Sequence, residues 1–470
     1  MLNTNWGSYS PRVGVAYNVF GNGKLAIRGG YGLYYQATGY ALQFANSGNP
    51  PYQLSYANST ATGSQKLANP FPIEPTPDQF PQFPVFPTFT GVSSSGAPVY
   101  SGSTLAIQAT DRYARSPYTQ NFNFTIEGQI AHDWTLELGY LGSRGIKQTT
   151  NTQRNSPLLI NPDNPGRFGL TTNSSANRES RVPIAGLSST GFSYLTNNGN
   201  SSYDAFIATL NHHLARGFLV KVAYTHSKTL DNYQASSGTN YSGSSVGNPY
   251  SLALNKGVSA QDIPNRLVIT GVWDIPGFKT GLFSPILGHW ALAGIATLQS
   301  GQAGVVSQNI GNASFDSATG YGLITPGCAL VASGRVEDHL SNYLNASCAT
   351  TQPLLAAGAS LNGLTPYQTP GSENYTIGTG GGYLLGTSTR GAFHAPFEQR
   401  TDLTLSKNFP LHKLLGEGGN LEFRAESFKI FNNPIFSAPN SSAGAATFGT
   451  ISSTIDNTGR QFQFAFKASF

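Results

Sequence analysis

The chain has 470 residues and a net charge of only +5, and Asp, Glu, Lys and Arg make up 10% of it, against about 25% in soluble domains. Aromatic residues reach 12%, with 23 Tyr and 28 Phe, beside 54 Gly. This composition excludes a helical membrane protein, because no run of about 18 apolar residues occurs. It also excludes a nucleic-acid binder, because no Lys/Arg run occurs.

The opening MLNTNWGSYSPR lacks a basic start, an apolar stretch and a small-residue cleavage site, so it does not read as a signal peptide. Val13, Val15, Tyr17 and Val19 then alternate with smaller or polar residues. A period of two places successive side chains on opposite faces of a strand. Gly21-Asn22-Gly23 turns the chain, because Asn and Gly tolerate positive φ. A return strand carries Leu25, Ile27, Gly29, Tyr31, Leu33 and Tyr35 on one face.

Four more pairs follow the same rule. Phe122, Phe124 and Ile126 lead through Ala131-His132-Asp133 to Trp134, Leu136, Leu138 and Tyr140. Trp134 and Tyr140 bracket that strand as an aromatic girdle would. Tyr203–Leu214 and Phe218–Ser227 turn at Ala215-Arg216-Gly217. Leu267, Ile269, Gly271 and Trp273 precede Trp290, Leu292, Gly294, Ala296 and Leu298. Leu403, Leu405 and Phe409 precede Leu421, Phe423 and Ala425, where the alternation slips after Ser427 into a bulge or a loop. The last strand carries Phe462, Phe464, Phe466 and Phe470 on one face, with Gln461, Gln463, Lys467 and Ser469 on the other.

These eleven strands are separated by long segments at roughly 37–117, 143–202, 229–263, 301–397 and 432–458, rich in Gly, Ser, Asn, Thr and Pro. Compact soluble domains rarely hold such loops. Outer-membrane barrels do, with short periplasmic turns and long outer loops. The pattern predicts an all-β fold, an antiparallel transmembrane β-barrel spanning 1–470. An odd count of eleven does not close a conventional even-stranded barrel, but it is half of twenty-two.

Charges in the strands fall on the polar faces: Arg28, Glu127, Glu137, Lys221, Arg266, Asp402, Glu422, Arg424, Glu426 and Lys467. Facing lipid at mid-membrane, each Lys or Arg would cost about 2–4 kcal/mol, so these ten are expected to line the lumen as a mixed ionic network. Cys328 and Cys348, twenty apart in a Gly-rich loop, can pair in an oxidising compartment or stand as two thiols. The Pro-rich segment at 69–87 reads as an extended loop piece.

Other motifs fall short of chemistry. Lys279-Thr280-Gly281 lacks an accompanying Ser-x-x-Lys, and Gly378–Gly382 fails the phosphate-loop spacing. His212 and His213 are sequential on a strand and point apart. No catalytic residue, metal site or cofactor is expected.

The ordered segments SPRVGVAYNVFGNGKLAIRGGYGLYY (10–35), RSPYTQNFNFTIEGQIAHDWTLELGYLGSRG (115–145) and YDAFIATLNHHLARGFLVKVAYTHSKTLDN (203–232) resemble an Oar-like TonB-dependent receptor of the acidobacterial type. So do DIPNRLVITGVWDIP (262–276), WALAGIATLQSGQ (290–302), FEQRTDLTLSKNFP (397–410) and LEFRAESFKIFNNPIF (421–436). The closing FQFAFKASF (462–470) is similar to the C-terminal signal read by the barrel-assembly machinery. The resemblance implies a Gram-negative outer-membrane location, a twenty-two-stranded barrel, an N-terminal plug and a TonB box. No upstream part is visible, so the chain is expected to be the C-terminal portion of a longer receptor, meeting TonB only through a plug. Its partners are then outer-membrane lipid and an extracellular solute that the resemblance does not identify. A plugless porin-like channel or a surface adhesin is the alternative.

Overall fold

The computed structural model describes residues 7–36, 49, 88–93, 98–101, 105–158, 165–170, 177–215, 217–233, 256–277, 288–309, 319–351, 388–410, 419–455 and 459–469. Within them, one sheet holds thirteen strands, eleven of which lie side by side in chain order, while the short strands Leu105–Thr110 and Gly257–Val258 pair alongside that path. They are β1 (Arg12–Asn18), β2 (Leu25–Tyr35), β3 (Tyr118–Ala131), β4 (Trp134–Gln153), β5 (Leu187–Ala215) and β6 (Phe218–Asp231). The rest are β7 (Asn265–Asp274), β8 (Trp290–Gln299), β9 (Glu398–Pro410), β10 (Asn420–Phe428) and β11 (Gln461–Ser469). Every neighbouring pair is antiparallel.

Residues opposite one another in an antiparallel ladder share a face, so the register tests the alternation across the whole sheet. Tyr17, Ile27, Ile126, Leu138, Ala208, Tyr224, Leu267 and Leu298 are linked pair by pair in one row. Phe218, Trp273, Leu292, Leu405, Ala425 and Phe464 make a second row on that face. On the other face, Arg28, Thr125, Gly139, Ile207, Thr225, Arg266, Gln299 and Glu398 are linked in the same way. The sheet therefore has one apolar and one polar side. The apolar side is bare: Phe464 is 67% exposed and Phe466 70%. An apolar face of this extent is not stable in water.

The short connections have local causes. Gly21 and Gly23 take positive φ between β1 and β2, and the Asn22 side chain accepts the Lys24 amide at 3.0 Å. Asp133 at φ 64 makes the β3–β4 turn. Gly217 at φ 80 makes the β5–β6 turn, where a Cβ would come within 2.8 Å of the Asp274 Cβ. Arg216, Lys279–Gly281, residues 69–87, Gly378–Gly382 and Phe470 lie outside the described residues.

One expectation changes, and one pair of alternatives is resolved. The segment 143–202 is not all loop, because β4 continues to Gln153 and β5 starts at Leu187. A register shift between Gly145 and Gln148, with Lys147 at φ 57, marks the point where alternation stops. Beyond it both faces are rich in Thr, Asn and Ser, so the pairing persists without an apolar side. The slip after Ser427 is an exit into a loop. β10 keeps register through Phe428 opposite Gln461, and Lys429 and Asn432 then turn at positive φ.

Apolar burial is concentrated in the loops. Val306, Leu330, Tyr343, Leu344, Cys348, Ala349, Phe393, Ala443, Phe448 and Ile451 form one buried cluster. It joins the long connection between β8 and β9 to the connection between β10 and β11. Ser307 and Gln308 pair in parallel with Ser442 and Ala443, and the Ile451 amide donates to the Leu340 carbonyl at 2.7 Å.

Moving a charge to the bare face tests this arrangement. Phe464→Lys is expected to lose about 2–4 kcal/mol of membrane stability and most of the assembled protein, while Gln463→Lys on the polar face is tolerated. Equal amounts of the two variants in purified outer membranes would contradict the strand assignment.

Candidate functional site

Two bands of aromatic side chains run along the apolar face. At the short-turn end lie the three described tryptophans, Trp134, Trp273 and Trp290, each at the turn-side end of its strand. Trp134 packs on His212 with ring centroids 4.6 Å apart, and His212 packs on Phe218 at 5.3 Å. At the loop end, Tyr35 and Tyr118 lie 5.2 Å apart, and Phe122 and Tyr140 6.0 Å. From Trp134 to Tyr140 is six residues, about 20 Å of strand before tilt. That suits an apolar band about 25 Å tall with aromatic borders.

Charges that stand on the apolar face sit at these borders. Lys407 lies over the Trp290 ring at 4.8 Å and the Phe409 ring at 5.0 Å, and its Nζ donates to the Gly288 carbonyl at 2.6 Å. Its stem covers apolar surface while its charge reaches the rim. At the other border, Arg144 lies over Phe122 at 5.3 Å and pairs with Asp204 at 2.9 Å. Tyr140 donates its hydroxyl to the same carboxylate at 2.5 Å. Lys407, Arg144 and Asp204 escape sequence reasoning because alternation assigns them to lipid, and only the aromatic neighbours and the rim position explain them.

The ten charges expected on the polar side all fall there by register. Arg28 pairs with Glu127. Arg424 reaches Glu422 at 3.0 Å and Glu426 at 3.8 Å, two residues away on either side. Asp402 pairs with Arg400 at 3.0 Å and also accepts the Lys429 amide at 2.8 Å. Among the described residues, Glu137, Lys221, Arg266 and Lys467 enter no ion pair. Glu137 stands directly opposite Glu127, and Lys467 opposite Glu422. The charges form local groups rather than one network.

The loop cluster is a second unit. Cys328 and Cys348 form a disulfide with Cα atoms 5.5 Å apart. Cys348 is fully buried within the apolar cluster. Beside it an open recess of about 530 Å³ is lined by Ile324, Pro326, Leu330, Val331 and Ala392. The cysteines are its one signal in the sequence, because its apolar residues follow no period.

The loop between β4 and β5 is held instead by polar side chains. Asn155 is fully buried and donates to the carbonyls of Ile184 and Leu187 at 3.0 and 2.8 Å. Arg181, 3% exposed, donates to Asn177 and to the Leu158 carbonyl. Burial, and secondarily Arg178, lowers its pKa to about 10. His212 and His213 face opposite sides, the latter 3.5 Å from Thr135 Oγ1. No cluster of three metal-ligating side chains occurs among the described residues.

Burial raises the phenol pKa of Tyr343 above its ordinary 10.0, and that of Tyr321 likewise, where Arg390 opposes the shift. A raised folded-state pKa means the folded loops hold the proton longer than the unfolded chain, so this contribution is full below pH 10 and fades as pH rises through the raised value. The loop cluster is expected to become protease-sensitive in that alkaline window. Tyr343→Phe should flatten the pH dependence while losing the 2.9 Å hydrogen bond to the His394 carbonyl. An unchanged profile in the variant would remove Tyr343 as its source.

The outer membrane beta barrel domain family matches residues 1–463. Solved structures resemble the chain over nearly its whole length. The outer membrane transporter YddB from Escherichia coli is 10% identical, with a TM-score of 0.45, over 97% of this chain and 40% of that one. The siderophore receptor PirA from Acinetobacter baumannii is 8% identical, with a TM-score of 0.41, over 98% and 41%. The pyoverdine receptor FpvA from Pseudomonas aeruginosa is 10% identical, with a TM-score of 0.39, over 98% and 36%. The chain thus spans about two-fifths of the length of these structures. No curated protein matches it.

Proposed function

We propose that this chain, which belongs to the outer membrane beta barrel domain family, supplies wall strands and solute-contacting outer loops to a TonB-dependent receptor. Its place is the outer membrane. The observation that carries the reading is the two-sidedness of the sheet, apolar and aromatic-bordered on one side and charged on the other. The apolar side partitions into lipid. The polar side, with Arg28, Glu127, Glu137, Lys221, Arg266, Asp402, Glu422, Arg424, Glu426 and Lys467, lines the lumen, where such groups can hold a plug. The disulfide-braced loop cluster faces outward and meets solute first.

Closure follows from direction. β1 and β11 are the edges of the described sheet, and both run toward the short-turn end. Lipid does not tolerate open edges. An antiparallel seam at each edge requires an odd number of further strands, whereas two copies of this chain would meet edge to edge in parallel. Phe462, Phe464, Phe466 and Phe470 are the signal offered to the barrel-assembly machinery. Coupling to TonB runs through a plug, and energised uptake of the solute belongs to the whole receptor.

The lumen assignment is tested by labelling single cysteines in outer-membrane preparations. A membrane-impermeant thiol reagent should reach Lys221→Cys and Thr270→Cys and spare Ile269→Cys and Val222→Cys. Equal labelling of both sets would defeat the reading. Steady ion conductance of the reconstituted protein would favour an open channel over a plugged receptor.

A further inference from the structure

The charges on the apolar side of the sheet are not spread evenly along its loop end. Within the strands, and among the described residues, that border carries Arg144 on β4, Asp204 on β5, and His226 and Lys228 on β6. These strands are neighbours, and the register sets the groups close together. Asp204 stands opposite both Gly142 and Lys228, and Phe206 opposite His226. Elsewhere the same border is neutral: β7, β9 and β10 place Asn265, Gln399 and Ser427 there. One more cation joins the patch. Parity would send Lys147 to the polar side, but its φ of 57 and the register shift between Gly145 and Gln148 turn it. Its Nζ lies 5.9 Å from the centre of the Tyr118 ring. Tyr118 belongs to the apolar side, opposite Ile146 and beside Tyr35.

The patch is positive on balance. The Asp204 carboxylate is taken up by Arg144 and by the Tyr140 hydroxyl. Arg144 spends its remaining reach on the carbonyls of Ser143 and Tyr203, at 3.0 and 3.1 Å. Lys228 Nζ stands 3.6 Å from Asp262 Oδ2, beyond hydrogen-bond range, and its side chain is 51% exposed. His226 meets the Asn265 side chain at 3.0 Å. Below the cations the surface turns apolar. Tyr140, Phe206, His226 and Asn265 make one row across the strands, and Leu138, Ala208, Tyr224 and Leu267 the next. Tyr140, Phe206 and Leu138 are exposed.

We infer that the loop-end border of β4–β6 seats an anionic, phosphate-bearing lipid headgroup, with Lys147 and Lys228 as its cationic contacts and the acyl chains lying down the rows of Phe206 and Leu138. This rests on the proposed function, in which the apolar side meets lipid and the long loops face outward. Two observations carry it. The cations are confined to one short arc of the border, whereas a general need for interfacial anchoring is met elsewhere by neutral side chains. They also stand at the top of an exposed apolar strip, so a molecule with a charged head and hydrocarbon tails fits both parts at once. A lysine beside an anionic membrane surface gains from each phosphate it meets, and its stem covers apolar surface on the way. The positive φ at Lys147 places a side chain there that the alternation of the strand would have withheld.

Lipid titration of the protein purified from outer membranes into detergent tests this, with bound lipid counted by native mass spectrometry. Phosphatidic acid is the probe and phosphatidylcholine the neutral reference. Phosphatidic acid is expected to bind in preference. Lys147→Gln and Lys228→Gln should each weaken it roughly fivefold, while Lys228→Arg keeps the affinity. Lys467→Gln, on the charged side of the sheet, should change nothing. Unchanged affinity in both of the first two variants would overturn the headgroup seat. Inorganic phosphate in excess, at constant ionic strength, should leave the lipid bound. Displacement by it would overturn a lipid seat in favour of a site for free phosphate. A loss in Lys467→Gln equal to that in Lys228→Gln would instead overturn the assignment of the two sides, so a failed seat and a failed lumen reading are told apart.

Discussion

The rest of the structure depends on one constraint: in hydrocarbon, each backbone amide and carbonyl must find a partner within the protein. The eleven strands answer it with an antiparallel ladder in unbroken chain order. A one-residue slip anywhere would carry a strand's apolar residues to the polar side. The pairwise chain from Tyr17 through Ile27, Ile126 and Leu138 to Leu298 shows no such slip. Register shifts lie away from that row: at the β3–β4 turn between Gln129 and Ala131, at the β5–β6 turn between His212 and Ala215, and in β4 from Gly145 to Thr149, where the aromatic border has been passed.

The exceptions to alternation follow from the same physics. Lys407 and the Arg144–Asp204 pair stand on the apolar side, but at its two borders. There a long side chain reaches the rim, and an aromatic face offsets part of the desolvation of a cation. Mid-band, the same charges would have neither water nor a ring quadrupole to meet. The aromatic borders and the charged exceptions are thus one feature.

What was legible in the sequence is what lipid dictates. One face of each wall strand must be apolar, so period-two alternation located the strands, and Gly21-Asn22-Gly23 and Asp133 located turns through their tolerance of positive φ. Above the membrane the constraint lapses. In 146–153 and 187–202 Thr, Asn and Ser stand on both faces, and apolar residues such as Leu187, Phe192, Tyr194 and Leu195 keep to no single side, so no alternation is written and the strand extensions stayed hidden. The loop cluster stayed hidden for a different reason. Val306, Leu344, Phe393 and Phe448 meet across gaps of up to 142 positions, and a contact of that range leaves no local period. Only the two cysteines hinted at a packed body there.

The molecule therefore uses two separate sources of order. The wall is held by ladder hydrogen bonds whose strength comes from the absence of competing water. The loop cluster is held by apolar burial and a covalent bridge, which need water outside to work. Alkali ionises Tyr343 and Tyr321 in the cluster, where burial holds both phenols above their ordinary value.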